Sequence, residues 1–400
     1  MSFYKKLGVK RVINCFGTYT LVGGHTFSDY VRAAMDEADR NFAWLWELEE
    51  KAGKRICELT GAEAAFVTPG VFAALSMGAA AVMAGKDQDK MSKLPDTEGM
   101  KNEFIIQRPL RDFKYDRSMT IAGGKLVEVG CEKKGCTLEM IEAAINENTA
   151  GIHYMAHGTT GNFASKEAAI VPIEDVIKLA HAHGLPVLVD AAFQCYPKDG
   201  FKRYIEKGAD LVAYSCKYFG GPNTAGILLG KKELVETVAL HSFVGQEGGP
   251  GGQLFLTAEP DRLHGSVFRG YKMDRSSIAG AVASLEEHLE TDYEGIFEEA
   301  RAKAGVMAEA WEKMLGVKTK LYDTGEVYDE PGRISLHIIL EKTPEEIDEV
   351  VKKLMQEDPP VWTSRMGNDL AINITSFRGL MLAEPKDTEV IIRRIERALR

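Results

Sequence analysis

Residues 172–230 alternate two periodicities in a way that few folds accommodate. Residues 173–183 carry apolar side chains at helical spacing and stop at Gly184. Pro186 then opens the unbroken run Val187-Leu188-Val189, which ends in Asp190. A helical stretch near Tyr204 leads to a second strand at 209–214. Lys217 follows, then the turn Gly220-Gly221-Pro222-Asn223 and a strand returning through 225–229, a hairpin-like exchange. Short strands that are apolar on every residue are buried on both faces, which requires helices above and below a largely parallel sheet.

The alternation extends in both directions. Residues 47–60 predict a helix ending at Gly61, and 64–67 a short buried strand. Thr68-Pro69-Gly70 breaks that strand, and a helix of very small residues follows from 71 to 84. Residues 104–106 and 125–129 predict two further strands with a helix between them, and 151–155 another. Near residue 244 the texture changes, and the glycine-dense stretch 245–252 reads as a loop. A helix-rich region covers roughly 274–315, 334–340 alternates as a half-buried strand, and two amphipathic helices with a strand at 370–375 follow. The expected division is an N-terminal segment at 1–45 packing on the small domain or a partner subunit, a large domain at 46–270, and a small α+β domain at 271–400.

Composition removes several function classes. With 45% hydrophobic residues in 400, the chain needs no metal or disulfide to complete a core. Its six cysteines are scattered, as expected in a reducing compartment. Cys131 and Cys136 are the one close pair, and no second Cys/His pair lies at a distance that would complete a zinc site, so no metal is expected. The net charge of −10 disfavours nucleic acid and anionic membrane as partners. Arg108, Arg111 and Lys114 form a short basic cluster mixed with acids, suited to a small anion. No signal-type or membrane-spanning run is present in the sequence, which predicts a cytoplasmic protein.

Asp190 closes a buried strand, where open α/β sheets place their ligands, and Lys217 stands just past the end of the next. Together they suit pyridoxal 5'-phosphate (PLP). The lysine forms a Schiff base with the cofactor aldehyde, and a carboxylate keeps the pyridine nitrogen protonated so that the ring accepts electrons. The phosphate needs a cradle, which the opening Thr68-Pro69-Gly70-Val71-Phe72-Ala73-Ala74 supplies through free N–H groups and the helix dipole. Ser215 and Thr224 bracket Lys217 and offer hydroxyls to the same phosphate or to local turns.

Gly61-Ala62-Glu63-Ala64-Ala65-Phe66, the segment 186–194 and the run 209–230 resemble the selenocysteine synthase-like (SelA-like) group of fold-type-I PLP enzymes. The segment 105–130, through Tyr115-Asp116-Arg117 and Gly123-Gly124-Lys125, is similar to the D-glucosaminate-6-phosphate ammonia-lyase branch, as is Arg269-Gly270-Tyr271-Lys272. The resemblance runs from about Arg11 to at least residue 285. It implies an aspartate-aminotransferase-like α/β fold: a three-layer sandwich with a mostly parallel central sheet and a smaller α+β C-terminal domain.

Position by position, the resemblance makes Lys217 the Schiff-base lysine and the acid/base at the substrate Cα, and Asp190 the partner of the pyridine nitrogen. Gln194 would lie near the ring hydroxyl, and Gly70, Val71 and Phe72 would offer N–H groups to the phosphate. Arg269 and Lys272 would face the active site, their own or that of the neighbouring subunit. Arg378 would fork-bind a substrate carboxylate. Arg111 matches an arginine that Gly-His precedes in the lyase branch; here Pro109-Leu110 stands instead. The segment 153–163 differs from both branches, and His157 is its candidate for the ring face. A homodimer or larger assembly is implied. Selenium transferases carry an extra N-terminal tRNA-binding region before the common core, near which this chain begins, so a nucleic-acid partner is not expected.

The leading expectation is a PLP-dependent lyase acting on an amino acid or amino-sugar acid, with β-elimination or deamination to a 2-oxo acid and ammonia. Racemisation or epimerisation would use the same carbanion and needs a second acid, with His157, Tyr154 or Cys216 as candidates. Selenium transfer, cysteine desulfuration and aminotransfer are further alternatives. A non-catalytic PLP-binding protein is the alternative of a different class.

Overall fold

The computed structural model describes residues 3–156, 168–247, 265–323, 332–376, 379–380 and 385–400. The chain divides into two compact units, one spanning 25–290 and the other joining residues 1–24 to 291–400.

In the larger unit the apolar runs become strands: β1 (Ala64–Thr68), β2 (Glu103–Gln107), β3 (Lys125–Val129), β4 (Thr149–Met155), β5 (Val187–Asp190), β6 (Leu211–Ser215) and β7 (Gly226–Gly230). Among the described residues they form one seven-stranded sheet in the order β1-β7-β6-β5-β4-β2-β3. Neighbours from β6 to β3 are parallel, whereas β7 runs antiparallel to both β6 and β1. Every residue of β5, β6 and β7 is buried, including the polar Asp190 and Ser215 that end two otherwise apolar runs.

The helices of this unit include α1 (Asp29–Arg40), α2 (Leu45–Thr60), α3 (Val71–Ala84), α4 (Ile173–Ala182), α5 (Lys232–His241) and α6 (Arg275–Glu290). The small side chains of α3 let it settle close against the sheet. A Cβ placed on Gly78 would lie 3.2 Å from Leu211 Cδ1 and 3.4 Å from Leu188 Cδ2, on β6 and β5. Edge strand β1 is covered by α2. A Cβ on Gly53 would sit 2.4 Å from the Ala65 carbonyl oxygen, and the buried Glu49 carboxyl accepts the Val67 N–H at 3.2 Å.

Buried Asp210 ties the sheet together behind the site. One oxygen accepts from the Val187 N–H at 2.7 Å and from His181 Nε2 at 2.9 Å, and the other pairs with Lys231. One carboxylate thus holds the start of β5, the start of β6 and the residue after β7.

The smaller unit carries α7 (Tyr293–Trp311), β8 (Val317–Tyr322), β9 (Ser335–Leu340), α8 (Pro344–Gln356), β10 (Ser364–Met366), β11 (Asp369–Asn373) and α9 (Pro385–Leu399). Its strands form an antiparallel sheet in the order β10-β11-β9-β8. A capping box between Thr343 and Glu346, with Pro344 in the first turn, starts α8. Ile13–Asn14 pairs in parallel with Val361–Trp362, and Arg11 is fork-bonded to the buried Asp387, which joins the N-terminal segment to this unit.

Three features differ from expectation. The connection from β2 to β3 holds two 3-10 turns, Arg108–Leu110 and Asp116–Thr120, where a helix was expected, because Pro109 and a dense set of side-chain ion pairs occupy the segment. The compact units divide at 24/25 and 290/291, whereas the sequence divides the chain at 45/46 and 270/271. The reason is α6, which is tied to α1 and α2 through Glu286, bonded by Tyr30 Oη and Arg55 Nε. Strand β9 is buried on both faces except at Ile339, since Ser335 and His337 are buried alongside the apolar Leu336 and Ile338.

Candidate active site

The strand register brings the chemistry-bearing residues to one rim of the large sheet. Thr68 pairs with Gly226, and Gly226 with Ser215 on its other side. Asp190 pairs with Ala213, two residues before Ser215. The start of α3, the turn holding Lys217 and the end of β5 therefore lie side by side across four neighbouring strands.

Lys217 sits in a 3-10 turn, Cys216–Phe219, that leaves β6 directly and closes at Gly220 in the left-handed conformation. The turn is braced by Cys216 N–H on the Ala225 carbonyl at 3.0 Å and Gly221 N–H on the Cys216 carbonyl at 2.8 Å. Lys217 is half-buried, with Nζ 4.7 Å from the Tyr218 ring centroid. Desolvation holds its ammonium below the ordinary lysine range, which favours the neutral amine needed for attack on an aldehyde.

Asp190 is buried, and its Oδ1 accepts the Ala192 N–H at 3.0 Å. Among the described residues Oδ2 has no hydrogen-bond partner, so one carboxylate oxygen remains for a donor in the site.

The turn expected to cradle the phosphate is built at Gly70, whose φ of 89° and ψ of 168° lie in a region essentially reserved for glycine. That conformation turns the chain from β1 into α3, where the first N–H groups (Val71, Phe72 and Ala73) have no partner within the helix. The first helical bond runs from Ala74 N–H to the Gly70 carbonyl at 3.0 Å. Thr68 is fully buried and donates its hydroxyl to the Gly70 carbonyl at 3.2 Å, so it shapes the turn. The Thr224 carbonyl stands 3.8 Å from a Cβ placed on Gly70, and the Thr224 side chain is exposed beside the cradle. Ser215 is buried and makes no capping bond with its side chain. Gly226 was not anticipated. A Cβ there would come within 3.0 Å of the Val71 nitrogen, and a strand-opening glycine next to a turn was its only signal.

Gln194 is buried in the loop after β5, held by its own N–H on the Ala191 carbonyl at 2.9 Å. Arg269 is half-buried and Lys272 exposed, in a segment anchored by Ser266 Oγ on the His241 carbonyl at 2.7 Å. Arg111 is committed elsewhere. It forks onto the buried Asp116 at 2.5 and 3.1 Å and also pairs with Glu128, which Arg108 binds at 2.7 Å. Both guanidinium groups lie over the Phe113 ring, at 4.4 Å for Arg111 and 5.0 Å for Arg108. The expected anion cluster is thus a set of ion pairs internal to the chain. His157 and Arg378 lie outside the described residues.

An amine of lowered basicity, a carboxylate with an open oxygen and a row of backbone donors at a glycine turn fit a phosphorylated aldehyde cofactor such as PLP. Among the described residues there is no cluster of three or more His, Cys, Asp or Glu fit to hold a metal, and no helix long and apolar enough to cross a membrane.

Residues 47–244 match the family model of L-seryl-tRNA selenium transferase (SelA). The chain is 28% identical over 292 residues to D-glucosaminate-6-phosphate ammonia lyase of Salmonella typhimurium, covering 72% of this chain and 70% of that protein. It is 26% identical over 402 residues to a 5'-C-glycyluridine monooxygenase-decarboxylase of Streptomyces sp, covering 99% and 92%. The structure is similar to that of a D-glucosaminate-6-phosphate ammonia-lyase, with TM-score 0.81 at 23% identity and complete coverage of both chains. It is similar at lower level to a serine palmitoyltransferase of S. paucimobilis with bound PLP, with TM-score 0.52 at 14% identity, covering 97% of this chain and 87% of that one.

Proposed function

We propose that this chain, whose residues 47–244 match the SelA family model and whose fold is that of fold-type-I PLP enzymes, is a PLP-dependent lyase that deaminates an amino acid or amino-sugar acid. The observation that carries the reading is the shared rim, where Lys217, Asp190 and the open N-terminus of α3 meet. PLP, when bound, supplies an electron sink for the bond broken at the substrate Cα. The chain's residues do the rest. Val71, Phe72 and Ala73 N–H groups, with the Ser215 and Thr224 hydroxyls, bind the phosphate; the Gly70 N–H, expected to join them, is spent on the Thr68 carbonyl at 2.7 Å. The Asp190 carboxylate keeps a proton on the ring nitrogen, and Gln194 lies near the ring hydroxyl. The Lys217 amine takes the Cα proton, and departure of the β-substituent followed by hydrolysis releases a 2-oxo acid and ammonia. Arg378, Arg269 and Lys272 are proposed to bind substrate anions, and His157 to cover the ring.

Arg111 is a poor candidate for the substrate, because releasing it would strand the buried Asp116 without its partner. Phe42 (96% exposed) and Trp44 (57% exposed) present aromatic surface beside α2, which supports a homodimer as the working assembly, with the cytoplasm as its expected compartment. Incubation of the PLP-loaded protein with D-glucosaminate 6-phosphate and a panel of amino acids, with assay of 2-oxo acid and ammonia, tests the reading. Release of both products supports it, and failure to form them from every compound overturns it.

The near-complete coverage of the Streptomyces protein favours a second reading, oxygen-dependent decarboxylation of an amino acid. Uptake of O2 with release of CO2, in place of ammonia, selects it.

A further inference from the structure

Helix α6 carries Gly280, Ser284 and His288 at successive four-residue steps, which puts them on one face. That face lies on the turn that follows Lys217. A Cβ on Gly280 would lie 2.9 Å from Pro222 Cγ, and a Cβ on Gly221 would lie 2.4 Å from Ser284 Oγ. At the end of the stripe His288 is fully buried, with Nε2 2.9 Å from the Cys195 carbonyl oxygen. A carbonyl only accepts, so Nε2 carries a proton and donates it. The imidazole stands near-perpendicular to Phe201, with centroids 5.6 Å apart, and packs tilted against Phe219 at 5.9 Å. Phe219 ends the 3-10 turn of Lys217, and Cys195 follows Gln194 in the loop that leaves Asp190.

We propose that His288 is a positioning residue that fixes the Gln194 loop against the Lys217 turn. Around the ends of β5 and β6 the two segments also touch through the Phe193 and Tyr218 rings, 5.8 Å apart, and the Ser215 N–H bond to the Ala192 carbonyl, but neither of these reaches Cys195. The imidazole holds one through a directed hydrogen bond and the other through ring contact. It thereby sets how far the amine of Lys217 stands from the side chain of Gln194. The inference rests on the reading of Lys217 as the PLP lysine, but its tether is physical and exists without cofactor.

The full-length protein tests it with two variants. His288→Phe keeps the ring contacts and loses the donor; His288→Gln supplies an N–H at similar reach and loses the ring. PLP affinity is read by spectral titration of the apo-protein, and hydrogen exchange of the 191–197 backbone is read without PLP. His288→Phe is expected to weaken PLP binding about tenfold, the scale of one buried hydrogen bond, and to speed exchange in 191–197. His288→Gln is expected to recover most of both. Variants that only lower Tm, with wild-type PLP affinity and wild-type exchange, overturn the proposal. A wild-type protein that takes up no PLP fails the cofactor reading alone, and the exchange data still decide the tether. If His288→Phe does not fold, unchanged exchange and affinity in His288→Ala overturn the tether, and parallel loss of both supports it.

Discussion

The fully buried carboxyl of Glu49 accepts the backbone N–H of Val67 at 3.2 Å, three residues before the glycine of the anion cradle. Burial pushes its pKa well above the ordinary 4.5, with the Val67 bond a smaller opposing influence. The folded chain therefore keeps a proton that the unfolded chain gives up, and stability falls as pH rises above 4.5. Glu49→Gln retains the acceptor without the titration. Its Tm is expected to exceed that of wild type at pH 8, with the gap shrinking toward pH 5. Thermal melts across that range check it.

Asp190 contributes charge, and its Ala192 bond is local. Asp190→Asn preserves that acceptor and removes the negative charge proposed to pair with the ring nitrogen. The variant is expected to bind PLP and fold normally while losing on the order of 10²–10⁴ in kcat, the usual scale for a proton held in the wrong state. Steady-state kinetics alongside PLP titration separate the two effects.

Gly70 holds a conformation that an L-residue reaches only with strain of about 1–3 kcal/mol. A Cβ there meets nothing closer than 3.8 Å, so the cost of Gly70→Ala is conformational and not a clash. PLP affinity is expected to fall between about fivefold and a hundredfold as the turn relaxes. Gly226→Ala reaches the same end sterically, since its Cβ would press on the Gly70–Val71 peptide at 2.9–3.0 Å. Equilibrium titration of each apo-protein measures both.

His241 is buried at the end of α5, with Nε2 bonded to the Gly85 carbonyl at 3.0 Å. Burial drives its pKa from 6.5 down to about 4, against a smaller upward pull from that bond. The unfolded imidazole gains its proton first as pH falls. Its contribution to stability is thus intact above pH 6.5 and lost progressively toward pH 4. Its share of that loss is on the order of 3 kcal/mol. His241→Gln is expected to show a shallower decline in denaturant midpoint between pH 7 and 4.5.

The core of the candidate site was legible because it is made of strongly local signals. Buried strands ending at Asp190 and just before Lys217 announce themselves by unbroken apolar runs, and Thr68-Pro69-Gly70 marks its own turn. What escaped depends on side-chain partners that only the folded backbone brings together. Arg111 reads as a free cation until the fold sets Asp116 and Glu128 against it. The 3-10 turns between β2 and β3 replace a helix for the same reason. Glu49 sits in a charged helical stretch that reads as solvated, and only the cover it gives to edge strand β1 explains its burial. Ser284 and His288 have helical spacing with Gly280, but polar residues on that spacing read as a water-facing stripe.

The proposed function requires Lys217 to be the residue that holds PLP. The most direct measurement is the absorbance spectrum of the PLP-loaded wild-type protein beside that of Lys217→Ala. The wild type is expected to be yellow, with the visible-edge band of lysine-bound PLP, and the variant to lack that band while remaining folded. A colourless wild type after incubation with PLP, or the same band in Lys217→Ala, would contradict it.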